Sequence, residues 1–237
     1  MLHSQEIWQE DQYEPYRAPK PSAVRLSFSQ KGILAGIMLT TMMLMGMGET
    51  TDPAAMMGGL AAEPEATSET NGGISRIFSP GVQAWETEIL EWSAEWGLDP
   101  NLVATVMQIE SCGSPKALSG SGAQGLFQVM PYHFEEGDNG YHPETNARRG
   151  LGYLRKALEA FHGDVRLALA GYNGGINGAG RPESEWTNEM LHYVHWGENI
   201  YAEAKNGAAT SATIQAWLEA GGDHLCTQAK GETAFKR

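Results

Sequence analysis

Glu110 is the residue whose position best suits it for acid–base chemistry. Val103, Val106 and Met107 recur at the spacing of one helix face, and Glu110 is the next position on that face. It also falls in the last turn of the predicted helix, where the helix dipole and apolar surroundings both disfavour a charged carboxylate. Both effects raise its pKa, so the carboxyl group is predicted to act as a general acid at neutral pH. From periodicity alone, a solvated glutamate at a frayed helix end is the alternative interpretation.

Other residue types that often carry chemistry form no recognisable site. Gly120, Gly122 and Gly125 neither follow a predicted strand nor precede the Lys-Ser or Lys-Thr pair of a phosphate-binding loop. His192 and His195 lie three residues apart, without a Glu-x-x-His pattern. We therefore expect no metal site and no cofactor.

A tryptophan-rich helix is predicted just before the helix of Glu110. Trp85, Ile89, Trp92 and Trp96 recur with helical spacing, and Gly97 ends the pattern. Such a stripe of large apolar residues is typical of a core-facing helix.

Capping residues mark the beginnings of three predicted helices. Asp99 followed by Pro100 opens the helix of Glu110, which is predicted to run through Ser111. Asp164 and Ser211 are predicted to cap two later helices, which end near positions 172 and 220. No alternating run is long enough for a strand, so the fold class is predicted to be mainly α. Apolar residues at helical spacing mark two more helices, one at Leu151, Leu154, Leu158 and Phe161 and the other at Tyr193, Trp196 and Ile200.

Three sequence segments carry a specific resemblance. They read ESCGSPKALSGSGAQGLFQVMP from Glu110, NARRGLGYLRKAL from Asn146 and ALAGYNGG from Ala168. Together they closely resemble the catalytic domain of the soluble-type lytic transglycosylases, which have a helical, goose-type lysozyme-like fold. The resemblance covers about residues 82–205.

The resemblance implies a set of site residues. Glu110 corresponds to the single catalytic acid/base of the family, Tyr172 and Asn173 to its Ala-Tyr-Asn motif, and Tyr193 to a tyrosine on a later helix. Gly171 and Gly174 depart from the pattern, since the family usually has alanine there, and extra glycines could loosen the tyrosine loop. The positions that correspond to the glycan-binding groove are Ser119, Gln128 and Met130.

The resemblance also implies a reaction on peptidoglycan. Glu110 would protonate the oxygen that leaves C1 of N-acetylmuramic acid in the β-1,4 bond to N-acetylglucosamine. It would then take the proton of the C6 hydroxyl as that hydroxyl closes on C1, which gives a 1,6-anhydro sugar. An intramolecular nucleophile removes the need for a second carboxylate and a positioned water. The nearest other acids are predicted to lie in a polar loop away from Glu110, at Glu135, Glu136, Asp138 and Glu144.

Two other functions fit the same residues. A lysozyme-type hydrolase would use water as the nucleophile on the same glycan. A glycan-binding module that has lost turnover would keep the fold, although the presence of Glu110, Gln128 and Tyr172 counts against it.

The net charge of the chain argues against nucleic acid as a partner. Sixteen Lys and Arg residues against twenty-nine Asp and Glu residues give a formal net charge of −13. A strongly acidic chain without a basic cluster is unsuited to nucleic acid. The expected partner is a peptidoglycan glycan strand.

The N-terminal region predicts export. Residues 32–48 contain no charged side chain. The length of this uncharged run is close to the minimum for a membrane-spanning helix. Basic residues precede this run and acidic residues follow it, so residues 1–31 are predicted to stay in the cytoplasm. Residues 49–80 have the composition of a disordered linker, and residues 81–237 are expected to form the catalytic domain. The protein would then be anchored at the outer face of the cytoplasmic membrane. Secretion after cleavage near residues 59–61 and a buried core helix are the alternatives.

Export bears on the two cysteines, Cys112 and Cys226. Both lie in the part of the chain that is expected to fold, and an oxidising compartment favours a disulfide between them. Two independent buried thiols are the alternative.

Overall fold

The computed structural model describes residues 73–233 of the chain, and helices account for most of that span. No strand is present in residues 73–233, so the prediction of a mainly α domain is confirmed. The helices are α1 Pro80–Gln83, α2 Glu86–Trp96, α3 Pro100–Ser111, α4 Pro143–Ala160, α5 Val165–Gly174, α6 Ile176–Ala179, α7 Asn188–Lys205, α8 Ala212–Trp217 and α9 Asp223–Thr233.

Helix α3, which carries Glu110, begins where the capping signal predicts. The Asp99 carboxylate accepts a hydrogen bond from the backbone N–H of Asn101 at 2.9 Å, and Pro100 occupies the first turn. The residues of its apolar face, among them Val103 and Met107, are fully buried. Cys112 ends the helix in a left-handed conformation, with φ of 51°.

The other long helices pack partly against α3 and partly against one another. Helices α2 and α7 both pack against α3, and α5 packs between α4 and α7. Trp85 and Trp92 are buried and stack with their ring centroids 6.1 Å apart, while Gly97 ends α2 with φ of 62°. The tryptophan stripe therefore belongs to the core, as the periodicity predicts.

Asn146, on α4, holds the irregular segment between α3 and α4. Its side-chain N–H groups donate to the carbonyls of Gln124 at 2.6 Å and Gly140 at 2.9 Å, and its oxygen accepts from the N–H of Phe127 at 2.8 Å. A Cβ at Gly125, which has φ of 75°, would lie 2.5 Å from the Asn146 amide nitrogen. One buried amide and a close glycine contact thus fix the loop that contains the predicted groove residues.

The domain begins earlier than the sequence predicts. Ile74, Ile77 and Phe78 are buried in the core, although residues 49–80 are predicted as a linker. The backbone N–H of Ser75 also donates to the Asn101 side chain at 2.8 Å. Three apolar residues among polar neighbours are too sparse to show periodicity, so only their packing partners reveal them.

The C-terminal region also differs from the prediction. Helix α8 ends at Trp217 rather than near residue 220, and a π-helical turn, Leu218–Gly222, leads into α9. Gly221, with φ of 126°, breaks the regular helix there.

The predicted membrane segment, residues 32–48, lies outside the described residues. Across residues 73–233 we find no helix of sufficient length and hydrophobicity to span a bilayer.

Candidate active site

Glu110 lies in an apolar environment at the end of α3. Its residue is only 9% exposed, and the Tyr193 hydroxyl donates a hydrogen bond to its Oε1 at 2.9 Å. Burial raises the pKa of Glu110 to about 8, and the negative charge of Glu189 contributes in the same direction. The hydrogen bond from Tyr193 opposes this shift because it favours the carboxylate. Glu110 therefore holds its proton at neutral pH and has a donor ready for the charge that remains when the proton leaves.

Two further tyrosines support Tyr193 from behind. The ring of Tyr172 stacks on that of Tyr193 with centroids 6.4 Å apart, and the ring of Tyr153 meets Tyr172 edge-on at 6.2 Å. The Tyr172 hydroxyl donates to the carbonyl of Phe127 at 2.8 Å, so its hydrogen atom is not directed at Glu110. Tyr172 is fully buried and acts here as a packing partner that connects α5 to the loop after α3.

The glycines that depart from the resemblance are closely packed. A Cβ at Gly174 would lie 2.2 Å from the sulfur of Met190, and one at Gly171 would lie 3.1 Å from the ring of Phe161. Larger neighbouring side chains therefore occupy the space that alanines would take. Met190 and Phe161 thus pack against these glycines, and the loosening of the tyrosine loop stays a prediction.

The turn after Glu110 is held on several sides. The Ser111 hydroxyl donates to the carbonyl of Leu126 at 2.7 Å, which joins the helix end to the loop. A disulfide joins Cys112 to Cys226 on α9, with their Cα atoms 4.9 Å apart. The structure thus contains the disulfide that the sequence predicts. It links the end of α3 to helix α9.

Gln108 connects this disulfide to the start of the domain. Its side-chain N–H group lies 3.2 Å from the sulfur of Cys112, and its oxygen accepts from the N–H of Ser79 at 2.9 Å. A Cβ at Gly81 in α1 would lie 2.2 Å from the carbonyl oxygen of Cys112, so backbone packs directly on backbone. The end of α3 is therefore closely packed against α1 and the segment that precedes it.

The predicted groove residues occupy the loop after α3. Gln128 is buried in a left-handed conformation with φ of 46°, and its amide donates to the carbonyls of Ala117 and Gly125 at 3.2 and 3.0 Å. The Ser119 hydroxyl accepts from the N–H of Ala123 at 2.9 Å. Met130 is half-buried against the core. Their hydrogen bonds hold the shape of the loop, and none of these bonds reaches Glu110.

Asn173, the remaining predicted site residue, is buried on α5 beside Tyr172. The structure therefore brings Glu110, Tyr193 and Tyr172 together directly, with Asn173 adjacent in the chain. Tyr193 is the residue whose placement is most informative, because 83 positions separate it from Glu110.

Sequence reasoning missed several residues that shape the site. Tyr153 and Asn146 are buried on α4 and contact Tyr172 and the loop after α3, respectively. Glu189 lies four positions before Tyr193 on α7, and this i, i+4 spacing was an available sign that the two share a helix face.

Three of the four acids near the start of α4 make contacts elsewhere. The guanidinium of Arg149, which is buried, pairs with Glu135 at 2.8 Å and with Asp138 at 2.6 Å. The Glu144 carboxylate accepts from the indole N–H of Trp92 at 2.9 Å. The prediction that all four acids lie in a loop is wrong for Glu144, which lies in the first turn of α4 after Pro143. None of the contacts named here joins these acids to Glu110. In residues 73–233, no three His, Cys, Asp or Glu side chains are placed together to hold a metal ion.

Comparison with known proteins shows what the domain is similar to. Residues 88–189 match the family described as the Transglycosylase SLT domain. A protein named "Transglycosylase" from Enterobacteria phage PRD1 is 46% identical over 104 residues, which is 43% of this chain and 38% of that protein. The "Endo-type membrane-bound lytic murein transglycosylase A" of Klebsiella pneumoniae is 50% identical over 38 residues, which is 16% of this chain and 19% of that protein.

The "Membrane-bound lytic murein transglycosylase C" of Photorhabdus laumondii is 32% identical over 107 residues, 37% of this chain and 30% of that protein. The lytic transglycosylase Slt of Pseudomonas aeruginosa, a solved structure, is 22% identical with a TM-score of 0.43, over 54% of this chain and 25% of that one. The matches span less than two-fifths of the length of each of these relatives. Residues 88–189 of this chain are therefore similar to the Transglycosylase SLT domain, and the relatives that match the chain are named as transglycosylases.

Proposed function

We propose that this protein is a peptidoglycan lytic transglycosylase. It cleaves the β-1,4 bond between N-acetylmuramic acid and N-acetylglucosamine and leaves a 1,6-anhydro-N-acetylmuramic acid end. The observation that carries the proposal is the environment of Glu110, a carboxyl group that burial keeps protonated and that a tyrosine hydroxyl contacts. The SLT family match and the names of the relatives support the same reaction.

The first step uses the proton on Glu110. With a pKa of about 8, the carboxyl group is mostly protonated at neutral pH and can donate to the glycosidic oxygen as the bond to C1 breaks. The apolar surroundings keep the proton on Glu110 until the glycosidic oxygen accepts it, and the bond from Tyr193 stabilises the carboxylate that the transfer leaves. The hydroxyl of Tyr193 is already in place at 2.9 Å, so no side chain has to move when charge develops.

The second step uses the same residue as a base. The C6 hydroxyl of the muramic acid attacks C1, and the Glu110 carboxylate takes the hydroxyl proton. The carboxyl group is thereby restored, and the leaving sugar carries the proton that Glu110 donated. Because both reacting groups belong to one sugar, proximity replaces a water-activating carboxylate.

The remaining site residues act in binding and positioning. The loop that borders the glycan-binding groove contains Ser119, Gln128 and Met130. The end of α5, which carries Tyr172 and Asn173, lies beside Glu110 and helps to position it. The hydrogen bonds of Gln128 and Ser119 within the loop support this role, since a rigid loop holds sugars with less loss of entropy on binding.

The protein acts in the cell envelope. We propose that residues 32–48 anchor it at the outer face of the cytoplasmic membrane, with secretion after cleavage as the alternative. The names of two relatives, which are membrane-bound lytic transglycosylases, support this location. Sedimentation with membranes tests it, because the full chain should sediment whereas a chain that begins at Gly73 should not.

Mass spectrometry of digested peptidoglycan sacculi tests the reaction. The wild-type protein should release fragments with 1,6-anhydro-muramic acid ends, and a Glu110→Gln variant should release none. Reducing ends in place of anhydro ends would identify a lysozyme-type hydrolase. Binding to sacculi without cleavage by the wild type would identify a glycan-binding module, and either result would overturn the proposal.

A further inference from the structure

The large hydrophobic side chains that are exposed in residues 73–233 all lie in one segment. They are Leu118, Tyr132 and Tyr141, with exposures of 62%, 55% and 37%. All three belong to the connection between α3 and α4, which also contains the predicted groove residues. Exposure alone does not distinguish the three residues, and the ring contacts of Tyr132 set it apart from Leu118 and Tyr141.

Tyr132 is the member of this group with a rigid setting. It lies in a short 3₁₀ helix, Pro131–His133, in which Pro131 restricts the backbone. The N–H of His133 donates to the carbonyl of Met130 at 3.0 Å, and that of Phe134 donates to the carbonyl of Pro131 at 3.2 Å. An aromatic side chain on a backbone that is already ordered loses little entropy when it binds a ligand.

A row of rings connects Tyr132 to the candidate catalytic carboxyl group. The ring of Tyr132 contacts His133 with centroids 4.6 Å apart, and His133 contacts Tyr153 at 5.8 Å. Tyr153 then meets Tyr172, and Tyr172 stacks on Tyr193, whose hydroxyl bonds to Glu110. The row begins at the surface and ends at the acid, so Tyr132 lies at the outer end of one continuous structure. Tyr141 takes no part in the row.

The two rings at the outer end of the row, those of Tyr132 and His133, are uncharged at neutral pH. Burial, with a smaller effect from the charge of Lys156, lowers the pKa of His133 to about 4. Partial burial raises the pKa of the Tyr132 hydroxyl to about 12. A neutral aromatic surface suits the apolar C–H face of an uncharged sugar ring better than it suits an anionic stem peptide.

We propose that Tyr132 is a sugar-binding residue of an outer subsite, where its exposed ring stacks on the face of a hexopyranose of the glycan strand away from the bond that is cleaved. His133 orients the Tyr132 ring and connects the subsite to the buried tyrosines. This proposal rests on the proposed function, since it adds a binding position to the same groove.

The test compares Tyr132→Ala with Tyr132→Phe, which keeps the ring. Release of anhydro ends is measured on soluble, uncross-linked glycan strands that have been separated by length. For long strands, Tyr132→Ala should raise KM about tenfold, equivalent to about 1.4 kcal/mol of binding free energy, with little change in kcat. Tyr132→Phe should behave like the wild type, and the effect of Tyr132→Ala should disappear on strands too short to reach the outer subsite.

Tyr141→Ala is the matched control, because it removes an exposed tyrosine from the same segment. An equal rise in KM for both alanine variants, or no rise for Tyr132→Ala, would overturn the proposal. Tyr132→Leu keeps apolar bulk without a ring and should show the same defect if Tyr132→Ala does not fold. A Tyr132→Leu variant with wild-type KM would also overturn it.

Binding without turnover separates this proposal from the proposed function. Retention of the protein on the same long strands is measured in the Glu110→Gln background, with and without Tyr132→Ala. If the wild type cleaves nothing but Tyr132→Ala still weakens retention, the subsite stands and the proposed reaction fails. If the wild type cleaves and retention is unchanged, the subsite is wrong and the reaction stands.

Discussion

At the scale of single residues, the proposed chemistry depends on one carboxyl group, that of Glu110, which burial alone would leave too weak an acid. Burial raises the pKa of Glu110, and the bond from Tyr193 lowers it again. The balance of these two effects leaves the pKa near 8, which is close to the pH at which a residue must both give and take a proton.

We expect Glu110→Gln to abolish turnover while the fold persists. Glutamine has nearly the same shape, but it can neither donate a carboxylic proton nor accept one from the sugar. Since one residue performs both steps, the loss of kcat should exceed the ~10²–10⁴-fold typical of one general acid–base contribution. Anhydro-end release and circular dichroism are measured together, and near-wild-type turnover would refute the assignment of Glu110.

The raised pKa of Glu110 predicts that the stability of the wild-type protein depends on pH. The pKa of Glu110 is about 8 in the folded protein and near the ordinary 4.5 when unfolded. Between these values the unfolded chain releases a proton that the folded protein keeps, so the free energy of unfolding falls as pH rises from about 4.5 to 8. Glu110→Gln lacks this loss and should be more stable than the wild type by about 1–3 kcal/mol at pH 7, with little advantage at pH 4. Urea unfolding at both pH values measures the difference, and an advantage that does not grow with pH would contradict the burial argument.

Tyr193→Phe should shift the pH profile of the reaction to higher pH. The Tyr193 hydroxyl lowers the pKa of Glu110, so its removal raises that pKa further. The acid step requires protonated Glu110, and the rate therefore falls as pH passes the pKa. We expect the alkaline limb of kcat/KM to move to higher pH, while kcat falls because the carboxylate loses its donor. Tyr201→Phe, on the same helix, is the control, and an unmoved limb in Tyr193→Phe would show that the bond does not tune Glu110.

At the scale of secondary-structure elements, the end of α3 is the point where the fold restrains the site. Helix α1, helix α9 and the loop after α3 all contact the turn that follows Glu110. Such crowding is expected where a reacting group must be held accurately, since a displacement of about 1 Å can cost about 10²-fold in rate.

The disulfide should account for much of the stability of this corner. Cys112 and Cys226 are both buried and are 114 positions apart, and in the chain-entropy model a closed loop of that length contributes about 4–5 kcal/mol. Alkylation must be done in denaturant, because buried thiols would escape the reagent in the native protein. We expect no labelled thiol before reduction and two after it, and a lower Tm for Cys226→Ala. Two thiols labelled without reductant would contradict the disulfide.

Gly174, at the end of α5, packs closely against Met190, near the start of α7. A Cβ at Gly174 would overlap the Met190 side chain, so Gly174→Ala should lower the free energy of unfolding by about 1–3 kcal/mol. In a Met190→Ala background the same substitution should cost less, because the overlap is gone. Gly178→Ala is the control, since its Cβ would meet Met190 at an ordinary 3.9 Å. Equal costs in both backgrounds would exclude the overlap as the cause.

At the scale of the whole molecule, the folded domain is larger than its family match. The match covers residues 88–189, yet buried core residues occur from Ile74 to Ala229. The flanking segments contain α1 and Cys226, the disulfide partner of Cys112 at the end of α3.

A chain that begins at Pro80 should therefore be less stable than one that begins at Gly73. The shorter chain lacks Ile74, Ile77 and Phe78, and burial of each such side chain contributes about 1.5–3 kcal/mol. We expect a loss on the order of 5 kcal/mol in urea unfolding, whereas the chain from Gly73 should match the full-length domain. Equal stability of the two shortened chains would place the boundary at residue 80, as the composition predicts.

Local patterns in the sequence determined most of the elements and the residue that matters most. The Asp99–Pro100 cap, the tryptophan stripe and the position of Glu110 on an apolar face are all properties of neighbouring residues, and each is found in the structure. They are readable because helix periodicity and capping act over a few positions. The roles of Ser119, Gln128, Met130 and Asn173 in binding stay predictions.

Only the tertiary structure decided how distant segments complete the site. The bond from Tyr193 to Glu110 joins residues 83 positions apart, Asn146 fixes a loop that precedes it by about twenty residues, and the core reaches back to Ile74. No local pattern encodes these contacts. They arise when helices that are distant in the sequence pack together and bury the polar groups on their contacting faces. The same packing sets the pKa of Glu110, since desolvation depends on every segment that covers the carboxyl group and not on its neighbours in the chain.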